Sequence, residues 1–464
     1  MTERRMFRWV LTSTRVVVGA AAAAATVVAV ALAVAFPWPT VSAAPVQLKA
    51  TPAPSATVLA CDGPLLALGR VVEEAGQLSV AASQSVTAGP GTAGATERAL
   101  TPGAEGAEVL SFTAAPDGSE PAAFAAAGSS SVEAADVRGF AASACRPPLL
   151  ESWLVGGAST TGSGDLVVLT NPGTVAATVQ VTVYGASGAQ TAPGGTDRVV
   201  PAGSQVVIPL AGLVPDEASP VISVTAMGAP VTAAVQSSLI RTLLPGGVDH
   251  VTPVAAASER QVVAGVVVSP AGAEGGEGAR TIARVLSPTA DTQATVSVRD
   301  SAGRRVGEDA AVPLVAGIPS ELGLPALPPG TYSVAVEASA PVVTGVWSTT
   351  GFGEGSDFAW FAAAPEIDRP TAVAVPAGSS PVLTLVNDRA EPATVTVTTP
   401  SGGTSEVELA PDAATQVAVG ESGVHSLDPS APVRAAVSFA SAGALAGFPV
   451  WGADAAAPPI LVFP

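Results

Sequence analysis

Few residues in this 464-residue chain are of types that carry chemistry. Cys61 and Cys145 are its only cysteines, His250 and His425 its only histidines. A Cys/His nucleophile pair needs both types in one place, and a zinc centre needs three or four clustered ligands. The sequence brings neither set together. Ser422 stands three residues before His425 in "GESGVHS", but in a strand that spacing puts the two on opposite faces. No Gly-x-Ser-x-Gly elbow occurs, and "GAEGGEGAR" has the glycines of a phosphate loop without the Gly-Lys-Ser/Thr that completes one. We therefore expect no catalytic residues, no metal and no cofactor: a protein that is not an enzyme. The most site-like segment is "GFGEGSDFAW", Gly351 to Trp360. Glu354 and Asp357 offer carboxyl oxygens to a calcium ion, and Phe352, Phe358 and Trp360 offer faces that stack on a sugar. The competing reading is a long hairpin tip whose aromatics fold back on the core. The scarce tryptophans, Trp153, Trp347 and Trp451 among them, are expected to anchor cores made mainly of Val, Leu and Ala.

What positions these residues begins at the N-terminus. "RRMFRWVLTSTR" precedes an uncharged, proline-free run, Val16 to Phe36. At 1.5 Å per helical residue that run spans about 30 Å, the thickness of a bilayer core. The arginines ahead of it predict a cytoplasmic basic tail over 1–15, a transmembrane helix or signal anchor over 16–36, and all later residues outside the cell membrane. Cleavage near Ala43 in "VSAA" is the alternative, giving a secreted chain; both readings export the remainder. An even cysteine pair in an oxidising compartment is most simply a disulfide, Cys61 to Cys145. The formal net charge of −18 repels phosphate backbones and argues against nucleic acid as a partner.

Three later segments share one pattern. "LVVLTNPGTVAATVQVTVYG" from Leu166, "TIARVLSPTADTQATVSVRD" from Thr281 and "PVLTLVNDRAEPATVTVTTP" from Pro381 each read as strand, polar turn, alternating strand. Asn171 and Asn387, the only asparagines, fall at the same turn, with Ser287 in the middle copy; such side chains stabilise turns by bonding their own backbone. Next come strands at Val206 to Leu210, Val312 to Val315 and Thr415 to Val419. Ala-Pro-Val then recurs at Ala229, Ala340 and Ala431, where proline fits the first residue of a strand or an edge. The spacing predicts an all-β chain of tandem antiparallel immunoglobulin-like β-sandwich modules. The expected order is a Pro-rich spacer over 37–60, an N-terminal β module with a long flexible loop over 61–150, and repeats over 151–260, 261–368 and 369–464.

The ordered set "CDGPL", "ACRPP", "SWLVGG", "LVVLTNPGTVAATVQVTVYG" and "VVPAGSQVVIPL" resembles an actinobacterial exported protein family of unknown function, the domain of unknown function 5719 family. The resemblance implies an extracytoplasmic envelope protein with no assigned activity. The expected partners are the membrane, through residues 16–36, and an envelope protein or glycan. Binding or scaffolding is the leading function, and a cell-wall or surface glycan-binding module the second.

Overall fold

The computed structural model describes residues 3–35, 48–50, 55–70, 76–89, 94–116, 121–270, 281–420, 422–452 and 460–462. They fall into two units, Met1–Pro52 with Pro459–Pro464, and Ala53–Pro458. Among its described residues the first unit has one helix, Glu3–Ala35. Its stretch Ser13–Ala35, of mean hydropathy 2.5, is long and apolar enough to cross a membrane by length and composition, a property signal sequences share. In the same unit Leu48–Ala50 pairs antiparallel with Ile460–Val462. The prolines assigned to a spacer, Pro37, Pro39, Pro45, Pro52 and Pro54, lie outside the described residues.

The second unit is built of antiparallel strands. Alternation drives the packing: along Ala177–Gly185, Val179, Val181 and Val183 are buried while Gln180 is exposed. One sheet runs in the order Glu151–Val155, Val221–Met227, Ala177–Gly185, with Gly188–Gln190 and Arg198–Val200 pairing the last strand. A second runs Ser204–Pro209, Leu166–Asn171, Thr232–Arg241, Leu244–Val251. Val167, Leu169, Ala233 and Val235 of the second sheet join Val179, Val181, Ile222 and Val224 of the first in one core. The third repeat reproduces this order. Its sheets are Thr371–Val375, Gly423–Pro429, Ala393–Thr398, Thr404–Leu409, and Ala414–Ala418, Val382–Val386, Val433–Ser441, Ala444–Pro449.

The middle repeat has the same order, but one strand, Gly330–Thr349, belongs to both of its sheets. It explains the Ala-Pro-Val landmark. Ala338 is the last residue paired with Thr292–Asp300, and Val343 the first paired with Ile282–Leu286. Pro341 sits between them, where the chain leaves one sheet for the other and a ladder N–H is dispensable. In the outer repeats the proline falls just before Thr232–Arg241 and Val433–Ser441, at the same crossover.

The asparagine turns form as the pattern predicts. Asn171 Oδ1 accepts from the Gly173 amide (2.9 Å), and its Nδ2 donates to the Val175 and Val200 carbonyls. Asn387 does the same with the Arg389 amide and the Glu391 carbonyl, and Ser287 Oγ donates to Ala290 O. Both asparagines are fully buried, so each turn is locked from inside.

Three sequence expectations change. Val312 to Val315 is not the counterpart of Val206 to Leu210: Ala310–Leu314 pairs with Thr292–Asp300, whereas Ser320–Gly323 takes the edge beside Ile282–Leu286. Ala310–Leu314 is the more apolar of the two and so resembles the Val206 to Leu210 strand, but pairing gives that place to Ser320–Gly323. The long flexible loop carries strands Leu78–Ala82, Ser85–Gly89 and Thr96–Leu100. Their small polar residues suit edges and half-buried faces, paired to Leu65–Leu68, Ala125–Glu133 and Val109–Ala114 respectively. The stretch given to the spacer also ends in a strand, Thr57–Ala60, which pairs with Val109–Ala114 because Leu59 and Ala60 bury.

Cys61 and Cys145, 84 positions apart in sequence, form a disulfide with Cα atoms 4.1 Å apart. Thiol titration of the unreduced, denatured chain should find no free thiol, and two after reduction. Replacing both cysteines by serine should cost about 2–5 kcal/mol in unfolding free energy. Two free thiols before reduction would contradict the pairing.

Candidate functional site

Each module ends in a hairpin. The four are Ala125–Glu133 with Arg138–Cys145, Thr232–Arg241 with Leu244–Val251, Gly330–Thr349 with Phe358–Ala362, and Val433–Ser441 with Ala444–Pro449. The second strands touch in a closed cycle: first to second, second to third, third to fourth, fourth to first. The N-terminal module therefore meets the third repeat, at the far end of the sequence.

Asp357 lies where the four meet. Its Oδ1 accepts from the amides of Val248 (3.1 Å) and Phe358 (3.0 Å), its Oδ2 from those of Phe140 (2.9 Å) and Leu445 (3.1 Å). One side chain thus collects a backbone N–H from every module. Local sequence makes room for it. Gly139 and Gly247, the residues before two of the donors, have φ of 143° and 125°. A Cβ on either would stand 2.5 or 2.7 Å from Asp357 Oδ1.

Polar groups also pin three of the four module junctions. Between the N-terminal module and the first repeat, Arg146 holds Asp62 through two bonds (2.9 and 2.5 Å) and donates to Ala233 O (2.9 Å). His250 Nδ1 lies 3.4 Å from Asp62 Oδ2. Gln236 pairs with both the amide and the carbonyl of Leu66. Between the first and second repeats, Arg284 donates to Gly157 O (2.9 Å) and Pro220 O (2.8 Å), pairs with Glu321, and lies 4.5 Å over the Trp360 ring. At the second and third repeats, Arg434 donates to Ala364 O (2.6 Å) and pairs with Asp388, which also meets Arg260. All three arginines are buried, where losing a partner costs more than it would at a surface.

The fourth junction, between the N-terminal module and the third repeat, differs. Phe140 and Phe439 pack edge to face at 5.5 Å, and Ser129 Oγ donates to Ala377 O (2.6 Å). Beside these contacts a cleft of about 490 Å³ opens, lined by Ser85, Ser131, Glu133, Arg138, Gly378 and Ser379 among others. A second, less polar cleft of about 930 Å³ lies between the second and third repeats, with Val268, Pro270, Phe352 and Glu354 in its wall.

The structure divides the 351–360 segment. Phe352 is 40 % exposed, with the Arg241 guanidinium 4.1 Å over its ring, and Glu354 is exposed. Asp357, Phe358 and Trp360 are buried. Asp357 has its oxygens committed to amides, and the two rings belong to the core of the first repeat. The segment thus offers an outside ligand only Phe352 and Glu354. Among the described residues no group of three or more His, Cys, Asp or Glu is placed to hold a metal ion. His425 is buried in Gly423–Pro429 with neither ring nitrogen hydrogen-bonded, so it makes no bond to Ser422. Trp153 packs in the core of the second repeat, while Trp347 and Trp451 are half-buried. Sequence reasoning missed the junction arginines. Asp62 and Arg146 carried a signal, since each directly follows one of the bonded cysteines. Arg284 and Arg434 carried none beyond a charge inside an apolar strand.

Burial sets the electrostatics. It raises Asp357 to about 8 and Asp165 to about 7, although the bonded amides oppose it in both and the Ser237 hydroxyl and Arg284 charge oppose it in Asp165. It raises Asp249 well above the usual range, because a single outside amide, that of Trp360, and the neighbouring Asp357 charge leave it poorly served. Burial acts on Asp62 too, but the Arg146 charge and the Arg146 and His250 bonds outweigh it and hold that carboxyl far below 3.8. A group raised on folding stabilises below its unfolded value and loses that stability as pH climbs through its folded value; a lowered group does the reverse. Unfolding free energy should therefore peak near about pH 4 and fall toward about pH 8. Asp249→Asn should flatten that alkaline decline, measured by urea unfolding across pH; an unchanged slope would contradict the assignment.

Asp357→Asn keeps the shape but turns an NH₂ toward two N–H donors. It should cost about 3–5 kcal/mol, as breaking a buried polar hub does, while Glu354→Ala should stay within about 0.5 kcal/mol. Equal effects from the two would remove Asp357 from its place at the junction.

Comparison with known proteins adds a family. A search of curated proteins finds no match. One solved structure, described as the crystal structure of a tetra-tandem repeat in the extending region of a large adhesion protein, aligns over 87 % of this chain and 92 % of that chain at 13 % identity. Its TM-score of 0.11 carries no argument about fold or role. The model for a family of unknown function, DUF5719, matches residues 98–420, which span most of the four modules joined at Asp357, and the chain belongs to that family.

Proposed function

We propose that this chain is a non-enzymatic envelope protein, held in the cell membrane by its N-terminal helix, whose β modules form a rigid external platform that binds or scaffolds a partner. The observation that carries this reading is the closure of four modules on Asp357. A string of independently moving modules would act as a stalk, whereas a closed set holds its hairpin turns in fixed relation, as a recognition surface requires. The arginines in the first half of the helix, ahead of its uncharged stretch, support the anchor, and the disulfide suits an oxidising compartment. The lack of converging nucleophile, base and oxyanion donors among the described residues favours binding over catalysis.

Protease added to intact cells should digest the β region and leave a membrane-bound N-terminal fragment. Protection of the β region in intact cells, with digestion only after lysis, would overturn the external placement. A photo-crosslinking residue at Leu243, 87 % exposed on a hairpin turn, should capture a discrete envelope protein. No adduct from that site or from one at Phe352 would overturn the platform reading.

A further inference from the structure

We infer that the cleft between the N-terminal module and the third repeat is a binding site for an uncharged saccharide of about two sugar units. The inference rests on the platform reading and names a ligand class for it.

The first ground is position. Three junctions of the ring carry a buried arginine with its partners, whereas the fourth has no buried arginine among the described residues and opens into a polar cleft of about 490 Å³. That volume falls within the range of small-ligand sites, and such sites favour module interfaces. The floor is rigid, because Phe140 beneath it is tied to Asp357 and to Phe439.

The second ground is chemistry. The exposed wall presents hydroxyls from Ser83, Ser85, Ser131 and Ser379. Each hydroxyl both donates and accepts, as sugar hydroxyls do. Glu133 and Arg138 stand at one end, 3.5 Å apart and both open to solvent. A carboxylate and a guanidinium side by side give paired acceptors and paired donors for neighbouring hydroxyls of a ring. Their charges balance, which disfavours a strongly anionic ligand. Gly355 also lines the cleft, with only the Arg138 guanidinium near the place a side chain would take. No exposed aromatic face stands in the cleft, so recognition depends on hydrogen bonds, and an apolar ligand gains little there.

The test uses the full chain in a detergent without sugar groups. Saturation-transfer NMR is run with maltose, cellobiose, trehalose and lactose, with digalacturonate and tetraserine as competitors. Transfer to at least one uncharged disaccharide is expected. Arg138→Gln should weaken it by about tenfold or more, the effect of losing bonds to a charged donor. The double variant Ser131→Tyr with Ser379→Tyr, which fills the cleft from two exposed positions, should abolish it while leaving the unfolding midpoint unchanged. If the filled variant does not fold, Arg138→Gln decides alone. No transfer to any disaccharide, full transfer in Arg138→Gln, or equal displacement by digalacturonate or tetraserine would overturn the assignment. A null result together with crosslinking from Leu243 would remove the saccharide and keep the platform. Saccharide binding without any crosslink would do the opposite.

Discussion

The structure depends on one carboxyl group. Asp357 comes from the second repeat, yet three of its four hydrogen bonds go to strands of the other modules. Buried amides must be paired, and an unpaired one costs more than a typical hydrogen bond returns. Four amides whose partners all reside on one side chain can be satisfied only when the four strands are in place together. That requirement turns a linear series of sandwiches into a closed set and brings residue 140 beside residue 439. The same burial that makes the arrangement specific raises the carboxyl's pKa, so closure is sensitive to pH as well as to sequence.

Around this hub the junctions combine apolar packing with buried polar groups: Trp153 of the first repeat enters the core of the second, and Phe358 and Trp360 of the second enter the core of the first. The chain has few aromatics and cores of Val, Leu and Ala. Such cores bury apolar area without much directional preference. Buried arginines reading backbone carbonyls across three of the four seams supply the direction, because their fixed fork of donors tolerates one docking geometry. The disulfide works with the first of these seams: the residues following its two cysteines are Asp62 and Arg146, so the covalent link and the ion pair hold the same corner. The fourth seam has no such buried arginine among the described residues, and it opens into the serine-lined cleft proposed as the saccharide site.

Much of the repeat architecture was legible in the sequence because it rests on local chemistry. The Asn171 and Asn387 turns need a side chain that bonds its own backbone, and the only two asparagines sit there. Ala-Pro-Val marks a place where the chain changes sheets and an N–H is not required. The cysteine pairing was legible because only two cysteines follow the apolar N-terminal run. What stayed hidden rests on long-range pairing. Val312 to Val315 and Ser320–Gly323 cannot be told apart as edge strands until their neighbours are known. The small polar residues at 78–100 look like a loop unless the strands beside them are known. Asp357 reads as an exposed loop acid beside Glu354. Its role appears only when Gly139, Gly247 and Ala444 are seen to occupy the matching positions of the other hairpins, each small where Asp357 is not.

Native-state hydrogen exchange at the four amides bonded to Asp357 tests closure most directly. If the modules form one cooperative ring, Phe140, Val248, Phe358 and Leu445 should exchange with a single free energy equal to that of global unfolding of the β region. Exchange of any one of them at a lower free energy, shared with the rest of its own module, would show that the module opens alone and would contradict the account.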